Sequence, residues 1–424
     1  MDKFIIKNNG PLTGHVYVNG AKNAVLPIMA ATLLTEGECF LENVPDLKDV
    51  RAMKDVITHF GGEFKDISIN EKFIQIKKIV TSEAPYELVQ KMRASFFVMG
   101  PLLARTGFAK VSLPGGCAIG ARPVDLHLKG FAALGAKVTQ EQGFIEVKAD
   151  RLKGATIYLD FPSVGATENI MMAATLAEGE TIIENAAEEP EIIDLSNFLN
   201  KMGANVRGAG TDTIRIEGVN KLKGTRHEII PDRIETGTYM IAAAITKGNV
   251  IIDNIVPAHI KPIIAKLIEC GAILEVGEDS VRVDGSEISN SVDLTTLPYP
   301  GFPTDMQAQF MALMTILDGV SVINETVFEN RFMHIPELVR LGANIRVEGH
   351  SAIVNGVKSL EGTEVIATDL RAGAALVLAA LVAKGETHIN SIYHIDRGYE
   401  NLDGKSNKLG AKIKRVTVAE IIQE

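Results

Sequence analysis

The chain is 424 residues long, 46% hydrophobic and 23% charged, with a formal net charge of -10 at pH 7 and no tryptophan. That length allows about two to three domains with aliphatic cores. The acidic balance argues against non-specific nucleic-acid binding, and an anionic substrate would need locally clustered Lys and Arg to hold it. Its three cysteines, Cys39, Cys117 and Cys270, are far apart and odd in number, which fits a reducing compartment and argues against a disulfide framework or a zinc cluster.

In chain order, the start MDKFIIKNNG lacks the apolar core of a secretion signal. FIIKN and HVYVNG read as two strands. A pattern then recurs six times. Gly37, Gly107, Gly179, Gly248, Gly319 and Gly385 each precede a short β-rich run, as in AEGETIIENA and TKGNVIIDNI. A second series, Gly61, Gly135, Gly203, Gly271, Gly342 and Gly410, sits later in each unit, as in ALGAKV and KMGANV. Both series keep a period of about 70 residues.

Each unit reads as an Ala- and Met-rich helix, apolar nearly all round and therefore interior, closed by the first glycine. A strand, an amphipathic helix ending at the second glycine, and further strands follow. The longest apolar run, residues 372–383, has 12 residues and is too short to span a bilayer. A cytoplasmic protein with no membrane partner is expected. By symmetry the two N-terminal strands should complete the last unit. The expected domains are 22–230 and 1–21 plus 231–424, three units each, with a cleft that opens and closes. No GxGxxG follows a strand, and the units are too regular for a Rossmann sheet.

Charged and polar residues gather where the apolar helices start: Lys22 and Asn23 in GAKN, Arg93 in KMRAS, SVGAT at 163–167, Asp232, Arg233 and Glu235 in DRIETGT, Asp305 in PTDMQAQ, and Arg371 in TDLRAG. Helix N-termini carry unpaired N–H groups and positive potential, so with Lys22, Arg93, Arg122, Arg371 and Arg397 they define an anion site. A helix-start aspartate such as Asp305 is, taken alone, an ordinary cap. Recurrence at one landmark is what points to function.

LPGGCAIGARPVD, residues 113–125, sets Cys117 apart. Pro114, Gly115 and Gly116 give it an irregular backbone. Arg122 and a helix beginning at Pro123 would lower the thiol pKa. Cys39 and Cys270 lie in apolar surroundings and read as inert.

The strings GAKNAVLP, MRAS, LPGGCAIGARPVDLH, SVGAT, AEGETIIENAAEEPEI, PDRIETGT, FPTDMQAQF, ETVFENRFMHIPEL, ATDLRA and YHIDRGYE run end to end. With them the sequence resembles the enolpyruvyl transferases, in particular the branch that acts on UDP-N-acetylglucosamine (UDP-GlcNAc) in peptidoglycan synthesis. The resemblance implies an α/β fold, a two-domain inside-out α/β barrel of six units. It implies transfer of the enolpyruvyl group of phosphoenolpyruvate to the 3′-hydroxyl of UDP-GlcNAc by addition and elimination, with release of phosphate and no metal or organic cofactor.

It further implies Cys117 as general acid of a lid loop, open to alkylation by an epoxide phosphonate, and Asp305 as base. Lys22, Asn23, Arg122, Arg371 and Arg397 would hold phosphoenolpyruvate. Asn23, Arg93, Arg122, Pro123, Val124, Asp125, Leu126, Ser163, Val164, Gly165, Asp305 and Val327 would line the nucleotide-sugar site, with Lys48, Asp232 and His127 as further candidates. A monomer is expected. One departure bears on nucleotide affinity: some members carry a lysine two positions before the serine of SVGAT, where this chain has Phe161 and Pro162 ahead of Ser163. The alternatives are a shikimate-type enolpyruvyl transferase, opposed by the LPGGC loop and the nucleotide-sugar strings, and a non-catalytic nucleotide-sugar-binding paralogue, opposed by intact Lys22, Cys117, Asp305 and Arg397.

Overall fold

The computed structural model describes residues 2–89, 93–112, 124–141 and 143–417. They form two compact units, one of residues 20–112 and 124–230, the other of residues 2–19 and 231–417. Each has its own aliphatic core.

The first unit holds three four-stranded sheets. In the third of them Thr156–Tyr158 runs parallel to Glu180–Glu184, which pairs antiparallel with Thr213–Glu217 and through it with Asn205–Arg207. Ile183, Ile214 and Ile216 are fully buried on one face. That alternation sets the register, because a slip by one residue would turn every one of them to water. The inner helices Lys22–Ala31, Met99–Thr106 and Val164–Ala174 lie in the core, and eight consecutive residues of the first are buried. The outer helices Lys48–His59 and Pro190–Lys201 keep one polar face.

The second unit repeats the plan with three more sheets and the inner helices Arg233–Ile245, Gln307–Met314 and Leu370–Val382. All thirteen residues of Arg233–Ile245 are buried, although Arg233, Glu235, Thr236 and Thr238 are polar.

The second glycine series explains why each outer helix stops. All six have φ between +92° and +102°. Gly135 N–H bonds Ala132 O and Ala136 N–H reaches back to Phe131 O at 3.0 Å, the Schellman arrangement, and the same pair recurs at Gly203 with Ala204 and at Gly342 with Ala343. A residue with a β-carbon resists that backbone, so the helix ends there.

The first glycine series acts differently from the expectation. Only Gly107 caps its helix directly, at φ +73°. The helices Val164–Ala174 and Gln307–Met314 stop well before Gly179 and Gly319. Gly37 and Gly248 are needed for close approach: a β-carbon would stand 2.2 Å from Gly224 N at the first and 2.2 Å from Leu12 O at the second.

The two N-terminal strands do not both complete the last repeat. Asp2–Lys7 does, between Glu386–Asn390 and Lys412–Thr417. Thr13–Tyr17 instead runs parallel to Asn249–Asp253, in the sheet of the fourth repeat. In the first unit Arg226–Glu228 does the same for Cys39–Glu42. Each of these strands covers the edge of its unit's first sheet, which an unpaired strand would leave open.

Candidate active site

In the first unit Lys22 opens its helix without a side-chain cap. Its Nζ lies 3.0 Å from Asp49 Oδ2, in the first turn of Lys48–His59, and the two side chains are only 13% and 3% exposed. The contact holds the Lys22 ammonium in place at the start of its helix. Lys48 beside it is exposed. Asn23 follows in the same first turn, half-buried. Arg93 heads the 3-10 turn Arg93–Val98.

Ser163 caps Val164–Ala174, its Oγ accepting from Ala166 N–H at 3.3 Å. Val164 and Gly165 form the first turn. Val124 is the N-cap of Asp125–Ala133, followed by Asp125, Leu126 and His127. The two helix starts meet, since a β-carbon on Gly165 would stand 3.3 Å from His127 Cε1 and 3.4 Å from Nε2. Residues 124–127 and 163–165 therefore share one locality. Phe161 is 41% exposed, and Asp160 pairs with Lys129 at 2.7 Å. Cys117, Arg122 and Pro123 lie outside the described residues.

One group here has no partner. Glu168, on Val164–Ala174, is fully buried, and neither of its oxygens is hydrogen-bonded. Burial first, then the nearby Glu191 and Glu189, push its pKa well above the usual carboxyl range. Burial and like charge thus both favour the protonated form of this carboxyl.

The second unit centres on Asp305, in the 3-10 turn Thr304–Met306 ahead of Gln307–Met314. Its Oδ1 accepts from Arg331 at 2.7 Å and its Oδ2 from Arg371 at 3.0 and 3.3 Å. Asp369 caps the helix Leu370–Val382 and so sets the Arg371 backbone, accepting from Arg371 N–H at 2.8 Å. Burial alone would lower the Arg371 pKa, but Asp305, Tyr399 and Asp232 outweigh it and hold the guanidinium above its ordinary value. The Tyr399 ring lies 5.5 Å beneath it. Asp232 acts as the N-cap of Arg233–Ile245, accepting from Ile234 and Glu235 N–H. Glu235 pairs with Lys405 at 2.7 Å. Arg397 ends the 3-10 turn Ile392–Arg397 and is half-buried.

Sequence reasoning missed two residues here. Glu325 is 1% exposed. It accepts from Thr296 Oγ1, Val327 N–H and Phe328 N–H on Oε1, and from Thr304 Oγ1 and Gln307 Nε2 on Oε2, all at 2.9–3.4 Å. One buried carboxylate thereby fixes both the turn of Asp305 and the backbone of Val327. Arg331 grips Thr304 as well as Asp305. Both lie in or beside the string ETVFENRFMHIPEL, but in irregular chain that no periodicity singles out. Asn169 was missed too, being a polar residue inside an apolar helix.

Cys39 and Cys270 are buried, and burial pushes their thiols up to about 11 and about 12. Among the described residues no His, Cys, Asp and Glu group is arranged to hold a metal ion, and no helix is long and apolar enough to cross a membrane.

The first unit offers an ion-paired lysine at a helix start and further helix starts, and the second offers a carboxylate held by two arginines; each set of fixed charges suits anionic ligands. The model of EPSP synthase (3-phosphoshikimate 1-carboxyvinyltransferase) matches residues 6–405. The chain is similar in structure to the enolpyruvyl transferase NikO from Streptomyces tendae (TM-score 0.89, 25% identity, 98% of this chain and 99% of that one). It is similar in fold to EPSP synthase from Acinetobacter baumannii (TM-score 0.76, 18% identity, covering 98% and 100%). In sequence it is 61% identical to UDP-N-acetylglucosamine 1-carboxyvinyltransferase 1 of Caldanaerobacter subterraneus subsp. tengcongensis, over 97% of this chain and 99% of the relative. It is 60% identical to the corresponding enzyme 2 of Carboxydothermus hydrogenoformans, over 98% and 100%. The chain belongs to the EPSP synthase family of carboxyvinyl transferases and, within it, to the UDP-N-acetylglucosamine 1-carboxyvinyltransferases.

Proposed function

We infer that this enzyme transfers the enolpyruvyl group of phosphoenolpyruvate to the 3′-hydroxyl of UDP-GlcNAc and releases phosphate, the first committed step of peptidoglycan synthesis. The observation that carries it is end-to-end identity of 60–61% to relatives named for that reaction. The enzyme is placed in the cytoplasm as a monomer, and its six repeats are read as an inside-out α/β barrel in two three-unit domains.

The reaction balances in two stages. A proton adds to C3 of phosphoenolpyruvate while the sugar oxygen attacks C2, giving a tetrahedral ketal. That ketal then loses a C3 proton and phosphate, leaving the enol ether. Cys117 serves as the general acid and assists the departing phosphate. Asp305 takes the hydroxyl proton, a role within reach of a carboxylate of fixed geometry.

Lys22, Asn23, Arg122 and Arg397 hold the phosphate and carboxylate of phosphoenolpyruvate, and Arg371 contributes its charge from beside Asp305. Arg93, Arg122 to Leu126, Ser163 to Gly165 and Val327 hold the nucleotide sugar. Fixed donors aimed at developing negative charge lower the barrier without reorganising during the reaction.

The test is phosphate release from phosphoenolpyruvate with either UDP-GlcNAc or shikimate 3-phosphate as acceptor. Release with UDP-GlcNAc alone is expected. Release with shikimate 3-phosphate alone would overturn the acceptor assignment. Tight UDP-GlcNAc binding without any release would indicate a non-catalytic paralogue.

A further inference from the structure

We propose that Asn169 is a positioning residue that holds His127 as the neutral imidazole protonated on Nε2, and that this N–H donates to a phosphoryl oxygen of the nucleotide sugar. The second half rests on the functional reading above.

Asn169 is fully buried in Val164–Ala174. Its Oδ1 accepts from Gly100 N–H at 2.7 Å. A backbone N–H can only donate, so that end of the amide is the oxygen. The other end has two hydrogens. One goes to Phe96 O at 3.0 Å, which can only accept. The second meets His127 Nδ1 at 3.1 Å. Nδ1 must therefore present its lone pair, and the imidazole proton sits on Nε2. Protonating Nδ1 would set two N–H groups head to head inside the unit.

The ring is held from a second side. Phe96 stands edge-on to it, centroids 5.0 Å apart at 88°. Its Cε1–Nε2 edge lies on the first turn of Val164–Ala174, where a β-carbon at Gly165 would crowd it at 3.3–3.4 Å. That turn carries the positive potential of a helix N-terminus, which favours a neutral donor over an imidazolium and attracts an anion. The same amide secures Phe96, in the 3-10 turn that Arg93 begins. One side chain thus fixes two elements of the proposed nucleotide-sugar site. Charged groups on the packed elements include Asp125 and Lys129 on the histidine's own helix, Asp160 paired with Lys129, Glu168 next to Asn169, and Glu191 near Glu168.

The first test is the ring-nitrogen NMR spectrum of the full chain labelled at histidine, assigned with the H127Q variant. His127 in the unsubstituted protein should show one protonated and one bare nitrogen, Nε2–H and Nδ1, from about pH 6 to 8. An Nδ1–H tautomer, or titration near the free value of about 6.5, would overturn the proposal. N169D keeps the acceptor for Gly100 but turns the donor into a carboxylate, so His127 should gain a proton on Nδ1. An unchanged tautomer there would also overturn it.

The second test is kinetic. H127L should raise the KM for UDP-GlcNAc by about 10-fold or more, the worth of a hydrogen bond to a charged group, and more than it lowers kcat. H127Q, which keeps a donor at that reach, should recover most of the loss. Equal falls in kcat and kcat/KM for H127L and H127Q alike would assign His127 a merely structural role. Failure of the unsubstituted protein to turn over UDP-GlcNAc would overturn the functional reading and the kinetic half with it, while the spectrum decides the tautomer independently.

Discussion

Asp305 and Arg371 form an ion pair between the starts of two inner helices of one unit, Oδ2 to NH2 at 3.0 Å, while Arg331 takes the other carboxylate oxygen at 2.7 Å. The two arginine side chains are 4% and 7% exposed. Removing the shared carboxylate leaves two buried cations facing each other. D305N should therefore lose about 3 kcal/mol or more of stability and at least about 100-fold in kcat, the usual contribution of a positioned base. Urea denaturation and steady-state kinetics check both. Retained activity would remove Asp305 from the mechanism.

Glu325 should matter as much to stability as to binding. E325A strands five donors in a buried site, and about 3 kcal/mol of destabilisation is expected. With Val327 and the Asp305 turn released, the KM for UDP-GlcNAc should rise as well. A variant as stable as the parent would show that those donors find other partners.

Glu168 gives a pH dependence with a defined sign. Its folded pKa is raised, so the native state holds a proton that the unfolded chain releases above about pH 4.3. Its contribution to stability is full below that value and declines as pH rises toward the folded pKa. E168Q cannot ionise and should gain on the parent by up to about 1.4 kcal/mol per pH unit across that window. Melting temperatures from pH 4.5 to 8 would show the two curves diverging; parallel curves would mean that Glu168 is solvated or paired.

Thiol reactivity should be confined to one residue. Burial pushes Cys39 up to about 11 and Cys270 up to about 12, so neither supplies thiolate at neutral pH. Iodoacetamide on the folded protein should label Cys117 alone by peptide mapping, and all three in denaturant. Equal labelling of Cys39 or Cys270 in the folded protein would contradict the burial.

The glycines should divide into two cost classes. At Gly135 a β-carbon meets nothing within 4 Å, so G135A should cost only the left-handed backbone strain, about 1–2 kcal/mol. At Gly218 it would fall 1.6 Å from Ala177 O, so G218A must move backbone and cost more. Chemical denaturation ranks them, and equal costs would refute the distinction.

Much of this was legible in the sequence because it repeats. Gly135 and its five counterparts are spaced in the chain as they are in the fold, and each meets the same backbone demand. Lys22, Ser163, Asp305 and Arg371 could be found because they sit at a landmark, the start of an apolar helix. Glu325, Arg331 and Asn169 could not. Their importance comes from contacts with residues distant in sequence or from a polar group hidden in an apolar helix, and neither leaves a period. The strand Thr13–Tyr17 was misassigned for a related reason: chain order suggested one sheet, while an open parallel edge at Asn249–Asp253 required it in another.

The central claim is carboxyvinyl transfer by cleavage of the C–O bond of phosphoenolpyruvate. It is tested most directly by supplying UDP-GlcNAc with phosphoenolpyruvate that carries heavy oxygen in the C–O–P bridge, and weighing both products by mass spectrometry. The account predicts that all of the label leaves with phosphate and that the nucleotide sugar gains an unlabelled enolpyruvyl group. Label retained in the organic product, or an unmodified nucleotide sugar beside released phosphate, would contradict it.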